Sequence, residues 1–169
     1  MNDIYLFFFD DGKDKSALSN FAKEFVLKKT QEKFNIPIDR IEYCKTENGK
    51  PYIKNYPDYH FNISHSNGAV AIAFSDYPVG VDIEKIRKSD MKIVNRFFNE
   101  SEKDYILNGD CDSRFTEIWT KKEAFIKKNG LTLSHLRVAQ TNGIYSFREN
   151  DYMISLYTEN NEKIKIFKE

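Results

Sequence analysis

Residues 60–86 read HFNISHSNGAVAIAFSDYPVGVDIEKI. Three short strand-like runs, His60–Ser64, Ala69–Ser75 and Val79–Ile86, are separated by the turn pairs Asn67-Gly68 and Tyr77-Pro78. Upstream, Ile38–Cys44 and Pro51–Lys54 read as further strands around the turn Asn48-Gly49. Before them comes an apolar strand, Ile4–Phe9, and a polar turn, Asp10–Lys15. From Ser16 to Phe34 the apolar positions Leu18, Phe21, Ala22, Phe25, Val26 and Phe34 recur at helical spacing, with Ser16 or Ser19 as the cap. Downstream, helical patterns cover Met91–Phe98, Glu100–Leu107 and Ser113–Lys128. Residues Leu136 to Phe167 read as three more strands, with turns at Asn142-Gly143 and Asn160-Asn161. This order predicts an α+β fold with helices packed on antiparallel sheets.

At 169 residues, 40% hydrophobic and 31% charged, the chain is a globular protein of one domain or two small fused halves. Lys plus Arg and Asp plus Glu are 26 each, which excludes a global basic field and argues against a nucleic-acid partner. Cys44 and Cys111 lie in neither a metal spacing nor a CxxC pair and read as free thiols. The N-terminal stretch has no basic region or small-residue cleavage site, and no apolar run approaches the roughly 18 residues needed to cross a bilayer. A cytoplasmic monomer away from membranes is expected.

Three stretches carry chemistry. In Gly80-Val81-Asp82-Ile83-Glu84, strand alternation puts Asp82 and Glu84 on one face and Val81 and Ile83 on the other. Paired carboxylates repel unless a cation sits between them, and a hard divalent ion suits that geometry; a solvated strand face is the plain alternative. In the helix ending Trp119-Thr120-Lys121-Lys122-Glu123-Ala124-Phe125-Ile126-Lys127, Glu123 and Lys127 lie four residues apart along one edge of an apolar stripe. They offer a third carboxylate and an ammonium for phosphate, or a simple surface pair. Lys122 falls inside the stripe, where it must snorkel, find a partner or meet an anion. In Asn62-Ile63-Ser64-His65-Ser66, adjacent Ser and His face opposite ways and make no triad, but the following Gly turn suits an anion. Upstream, Lys50 after the Asn48-Gly49 turn is either a phosphate contact or a solvated loop residue. Together these are the parts of metal-assisted phosphoryl-type transfer.

Gly49-Lys50-Pro51, Phe61-Asn62-Ile63-Ser64-His65-Ser66, Gly80-Val81-Asp82-Ile83-Glu84, Arg96-Phe97-Phe98 and the Trp119–Lys127 stretch form an ordered series. That series resembles the 4′-phosphopantetheinyl transferases of the surfactin-synthetase-activating type. The resemblance implies two similar α/β halves folded as a pseudo-dimer. Residues 1–86 would hold the first three motifs and residues 87–169 the last. It implies transfer of the 4′-phosphopantetheine arm of coenzyme A to a carrier-protein serine, with 3′,5′-ADP leaving. Mg²⁺ is the implied ion, with Mn²⁺ as a substitute. Asp82, Glu84 and Glu123 would hold the metal. Glu123 is the candidate base, directly or through water, with Glu102 as a weaker one. Lys127 and His65 would serve the transferring phosphate, and Lys50, Pro51, Ser64 and Lys122 the nucleotide. Lys13 and Lys15, in the segment before the first helix, are the candidates for the 3′-phosphate.

Between Lys85 and Arg96 stand five basic residues, Lys85, Arg87, Lys88, Lys92 and Arg96, against Asp90 alone. Met91, Ile93 and Val94 lie among them. The resemblance implies acidic acyl- or peptidyl-carrier proteins of fatty-acid, polyketide or nonribosomal-peptide synthesis, and a basic rim with apolar anchors suits them. The plain alternative is an amphipathic helix with its apolar side inward. A degenerate member that binds nucleotide or carrier without transfer, and a metal-dependent phosphohydrolase, are the competing functions.

Overall fold

The computed structural model describes residues 2–9, 14–160 and 163–168. Strand β1 (Asn2–Phe8) leads to helix α1 (Lys15–Phe34), a short hairpin β2 (Tyr43–Lys45) and β3 (Pro51–Ile53), and then a long hairpin β4 (His60–Ser66) and β5 (Ala69–Ser75). Strand β6 (Gly80–Lys85) follows, then helices α2 (Met91–Phe97), α3 (Glu100–Leu107) and α4 (Cys111–Asn129), and strands β7 (Tyr145–Glu149), β8 (Tyr152–Tyr157) and β9 (Ile164–Lys168). The architecture is α+β, as expected.

Two units of the same plan recur. In each, a strand is followed by helix and then a hairpin whose second strand returns antiparallel to the first: β4-β5-β1 in one sheet, β7-β8-β6 in the other. This is the pseudo-dimeric plan. Strand β6 is hydrogen-bonded to β8, so the Gly80–Glu84 motif sits in the sheet formed with the C-terminal strands. Strand β9 crosses back to pair parallel with β1.

Strand β5, Ala-Val-Ala-Ile-Ala-Phe-Ser, is buried along its whole length because both faces are covered. Its large residues Val70, Ile72 and Phe74 pack against Leu18, Ala22 and Val26 of α1. Its small ones, Ala69, Ala71 and Ala73, meet Val81, Ile83, Ile154 and Leu156 of the second sheet. The alternation of large and small thus sets two layer spacings with one strand. Burying each Val, Leu or Ile contributes about 1.5–3 kcal/mol.

Helix α1 is capped by Asp14, whose Oδ1 accepts the Ala17 N–H at 2.8 Å, rather than by Ser16 or Ser19. Residues 10–13 of the expected turn, with Lys13, lie outside the described residues. Ile38–Arg40 forms a 3₁₀ turn after Pro37, and pairing starts only at Tyr43. Leu136 follows another 3₁₀ turn, and the hairpin between β7 and β8 turns at Asn150, which adopts a left-handed φ of 52°. Cys44 and Cys111 are free and half-buried. Among the described residues, no helix is long and apolar enough to cross a membrane.

Gly80 explains how closely α4 lies on β6. A Cβ there would stand 2.0 Å from the Ala124 carbonyl oxygen and 2.4 Å from the Lys128 nitrogen, so only glycine fits.

Candidate active site

The site is built on a seam between the two sheets. Strand alternation turns Asn62, Ser64 and Ser66 of β4 toward the free edge of β6. There the Asn62 Oδ1 accepts the Val81 N–H at 2.9 Å, and Ser64 Oγ accepts the Ile83 N–H at 3.3 Å. Side chains thus satisfy edge donors that a neighbouring strand would otherwise take. The same serines hold the acids: Ser64 Oγ donates to Asp82 Oδ1 at 2.7 Å, and Ser66 Oγ donates to Glu84 Oε2 at 2.6 Å. The matching alternation of Asn-x-Ser-x-Ser and Asp-x-Glu is the signal for this seam, which the separate motifs do not reveal.

From α4, Lys127 Nζ reaches across to Asp82 Oδ1 at 2.6 Å and Ser64 Oγ at 2.8 Å. Asp82 is only 2% exposed, and its second oxygen, Oδ2, has no hydrogen-bond partner. Burial and the charges of Asp82 and Glu84 push the Glu123 carboxyl up to about 7, against the pull of Lys127. Burial likewise raises Glu84, with the Asp82 charge adding to it. His65, on the opposite face of β4, is held below the usual imidazole range by burial and by the Lys127 and Lys15 ammoniums. Its Nδ1 is buried and unpartnered.

Open space adjoins these groups on three sides. A cavity of about 400 Å³ is lined by Lys15, His65, Ser66 and Glu84. A second, about 220 Å³, takes in Pro51, Ser64, His65 and Lys127. A third, about 190 Å³, is lined by Lys50, Pro51, Asn62 and Lys127. Shared His65 and Lys127 join them into one cleft between the halves. Tyr43 and Lys45 line it as well, and no motif pointed to them.

Lys50 sits at its edge, its Nζ donating to the Lys128 carbonyl at 2.6 Å and the Val79 carbonyl at 3.4 Å. Burial and the Lys128 charge push its ammonium down to about 8. With the Asn48 amide donating to the Gly130 carbonyl at 2.8 Å, it ties the first half to the end of α4, where a helix presents unpaired carbonyls.

Two expected residues are not brought to the cleft. Lys122 is 1% exposed and points to the opposite side of α4, pairing with Glu102 Oε2 at 3.1 Å. It also donates to the carbonyls of Ala139 at 3.0 Å and Leu136 at 3.3 Å. Of the choices open to a lysine in an apolar stripe, it has taken a partner. Glu102 is equally enclosed: one oxygen also accepts the Asn99 N–H in the capping box that starts α3, and the other accepts from Thr141 Oγ1.

Among the described residues, no group of three or more His, Cys, Asp or Glu side chains is arranged to hold a metal ion. The Lys127 ammonium holds Asp82 instead. The chemistry of the donors still fits a hard divalent ion: a buried Asp82 with an orphaned oxygen, the half-buried carboxyls of Glu84 and Glu123, both raised, and no soft ligand.

Two family models cover the chain end to end. The 4′-phosphopantetheinyl transferase superfamily matches residues 78–167, and the 4′-phosphopantetheinyl transferase N-terminal family matches residues 2–76. With the doubled fold and the cleft between its halves, the chain belongs to the 4′-phosphopantetheinyl transferase superfamily. Its bacterial relatives place it with the surfactin-activating type. It is 43% identical over 97 residues to the 4′-phosphopantetheinyl transferase Sfp of Bacillus subtilis, covering 56% of this chain and 43% of that one. It is 40% identical over 120 residues to the 4′-phosphopantetheinyl transferase gsp of Aneurinibacillus migulanus, covering 69% and 50%. A Xenopus laevis L-aminoadipate-semialdehyde dehydrogenase-phosphopantetheinyl transferase is 33% identical over 137 residues, covering 70% and 45%. The chain spans about half the length of the curated relatives it matches.

Proposed function

We propose that this chain transfers the 4′-phosphopantetheine arm of coenzyme A to a serine hydroxyl of an acyl- or peptidyl-carrier protein, in the cytoplasm, releasing 3′,5′-ADP. The observation that carries the reading is Asp82, buried at the seam, bound on one oxygen by Lys127 and left open on the other.

Asp82, Glu84 and Glu123 would hold Mg²⁺, which when bound supplies positive charge to the pyrophosphate oxygens and relieves the repulsion among the carboxylates. Lys127 stands at the wall of the cleft, where its ammonium meets charge gathering on the transferring phosphoryl oxygens. Burial and the Lys127 and Lys15 ammoniums disfavour the charged form of His65, whose ring would offer an N–H to a phosphate oxygen. Lys50, Pro51 and Ser64 would line the nucleotide end, and Lys15 at the start of α1, which lines the cleft, would serve a 3′-phosphate. As the serine oxygen bonds to the β-phosphorus, the bond from that phosphorus to the 3′,5′-ADP oxygen breaks. The serine proton passes to the Glu123 carboxylate, directly or through a water.

The carrier would dock on the rim that begins at Lys85. Lys85, Arg87, Lys88, Lys92 and Arg96 are all exposed. The Arg87 guanidinium lies over the Phe115 and Trp119 rings, at 5.3 and 5.5 Å from their centroids, which holds it in place beside the cleft. Met91 is 42% exposed, whereas Val94 is fully buried in the helical core and takes no part. Divided at residue 86, residues 1–86 would carry most of the nucleotide contacts and residues 87–169 Glu123, Lys127 and most of the carrier rim, with β6 carrying Asp82 and Glu84 in the sheet formed with the C-terminal strands.

The test is intact-mass analysis of apo carrier domains after incubation with coenzyme A, Mg²⁺ and the protein. A gain of one phosphopantetheine arm is expected, absent with Asp82→Ala. No gain on any carrier, with coenzyme A hydrolysed in carrier-free controls, would make the protein a phosphohydrolase instead.

A further inference from the structure

The basic rim is a strap laid along α4 and fastened to it at both ends. At its start, the Arg87 N–H donates to Thr116 Oγ1 at 3.4 Å and the Ser89 N–H donates to Asp112 Oδ1 at 2.8 Å. At its far end, α2 closes with the Phe98 N–H on the Val94 carbonyl, and the chain turns at Asn99 into α3. Glu102 returns to that corner and accepts the Asn99 N–H on Oε2 at 2.9 Å, and Lys122 of α4 pairs with the same oxygen at 3.1 Å. The Lys122 ammonium also lies 5.5 Å from the ring centroid of Phe98, which is buried and stacks on Phe115 of α4. Asp112 and Lys122 are ten residues apart, so the two fastenings lie about 15 Å apart along the helix. Between them α2 buries Val94 and leaves Lys92 and Arg96 exposed.

What α4 carries beside the far fastening gives it a consequence for the reaction. Glu123 directly follows Lys122 and senses the Asp82, Glu84 and Lys127 charges on the cleft side. The residue that fastens the rim and the candidate base are therefore consecutive on one helix. A carrier seated on the rim presents its serine to the cleft from a position that this corner sets. Burying an ion pair adds little net stability over a neutral pair of similar volume, but it fixes a direction that apolar contacts leave loose. Neither partner has capacity left for a ligand: the second oxygen of Glu102 accepts from Thr141, and Lys122 donates to the Leu136 and Ala139 carbonyls.

We infer that Lys122 and Glu102 are positioning residues for the carrier protein. By tying the Phe98-Asn99 corner to α4, they hold the rim in register with Glu123, and they act on the carrier without touching it or the nucleotide. The inference rests on the proposed transfer to a carrier and deepens it.

The test is Lys122→Met combined with Glu102→Gln, which removes both charges together and keeps the capping box with Asn99, so the protein is expected to fold. Carrier kinetics are read by intact mass at saturating coenzyme A, beside calorimetric binding of coenzyme A with Mg²⁺. The KM for the carrier should rise about tenfold with kcat little changed, while the coenzyme A Kd stays within about twofold. Glu102→Gln alone, in which Lys122 keeps its two carbonyls, is the second variant and should shift the carrier KM in the same direction. An unchanged carrier KM in either folded variant would overturn the inference. So would equal weakening of carrier and coenzyme A, the mark of a pair that only supports the fold. A natural protein that modifies no carrier would overturn the transfer reading and this inference with it, whereas normal modification with an unmoved KM in the variants would overturn this inference alone.

Discussion

Lys122 and Lys127 stand five residues apart on α4, each paired with a buried carboxylate, and they mean opposite things. The Lys122–Glu102 pair is closed: its side chains are 1% and 5% exposed, and each oxygen of Glu102 has a protein donor. The Lys127–Asp82 pair is open: Lys127 is 26% exposed beside a cleft, and Asp82 keeps an oxygen without a partner. A closed pair has nothing left to offer a ligand and holds α3, α4 and the 136–139 segment together. An open pair has spare capacity, held in place by Ser64.

The largest expected effect lies on the open side. Asp82→Ala removes the carboxylate around which the cleft is built, and carrier modification should fall roughly a thousandfold or more with the fold kept, read by turnover beside circular dichroism. Turnover near that of the natural protein would break the comparison. On the closed side, Lys122→Met strands the Glu102 charge and should cost about 3–5 kcal/mol of stability by chemical denaturation. Adding Glu102→Gln should return most of it, because glutamine still closes the capping box with Asn99. A single variant as stable as the natural protein would mean that the pair is not closed.

Proton linkage sharpens the open side further. In the folded chain Glu123 holds its proton up to about 7, against 4.5 when unfolded. The folded state therefore binds more protons between those values, and stability falls as pH rises through them. Without Mg²⁺ the melting temperature should decline from about pH 5 to about pH 7, and Glu123→Gln should flatten the slope. An unchanged slope in that variant would remove Glu123 as its source. The smallest effect belongs to the rim: Arg87→Glu with Lys88→Glu should raise the carrier KM about tenfold at low salt while leaving that for coenzyme A alone. Identical carrier kinetics would end the docking proposal.

The same contrast shows what could be read from the residues. Alternation in Gly80–Glu84 correctly put Asp82 and Glu84 opposite Val81 and Ile83, and helical spacing put Glu123 and Lys127 on one edge, because both are local periodicities. Lys122 was legible as a misfit in an apolar stripe, but its partner lies 20 positions upstream on α3, and nothing local announces it. The parallel pairing of β9 with β1 is invisible for the same reason, since it joins the two ends of the described chain. At Ile38 the apolar pattern predicts strand, and Pro37 with a 3₁₀ turn prevails over it. The sequence offers Ser64 as a ligand residue and gives Asn62 no role beyond its motif; that both serve as the hydrogen-bonding edge for β6 requires the two sheets to be side by side.

The central claim is that the open pair belongs to a coenzyme A site and the closed pair does not. Calorimetric titration of coenzyme A, with Mg²⁺ and with chelator, into the natural protein, Lys127→Met and Lys122→Met tests it most directly. Binding should need Mg²⁺, weaken at least tenfold in Lys127→Met, and persist in the folded fraction of Lys122→Met. Binding indifferent to Mg²⁺ and Lys127, or lost with Lys122 alone, would contradict it.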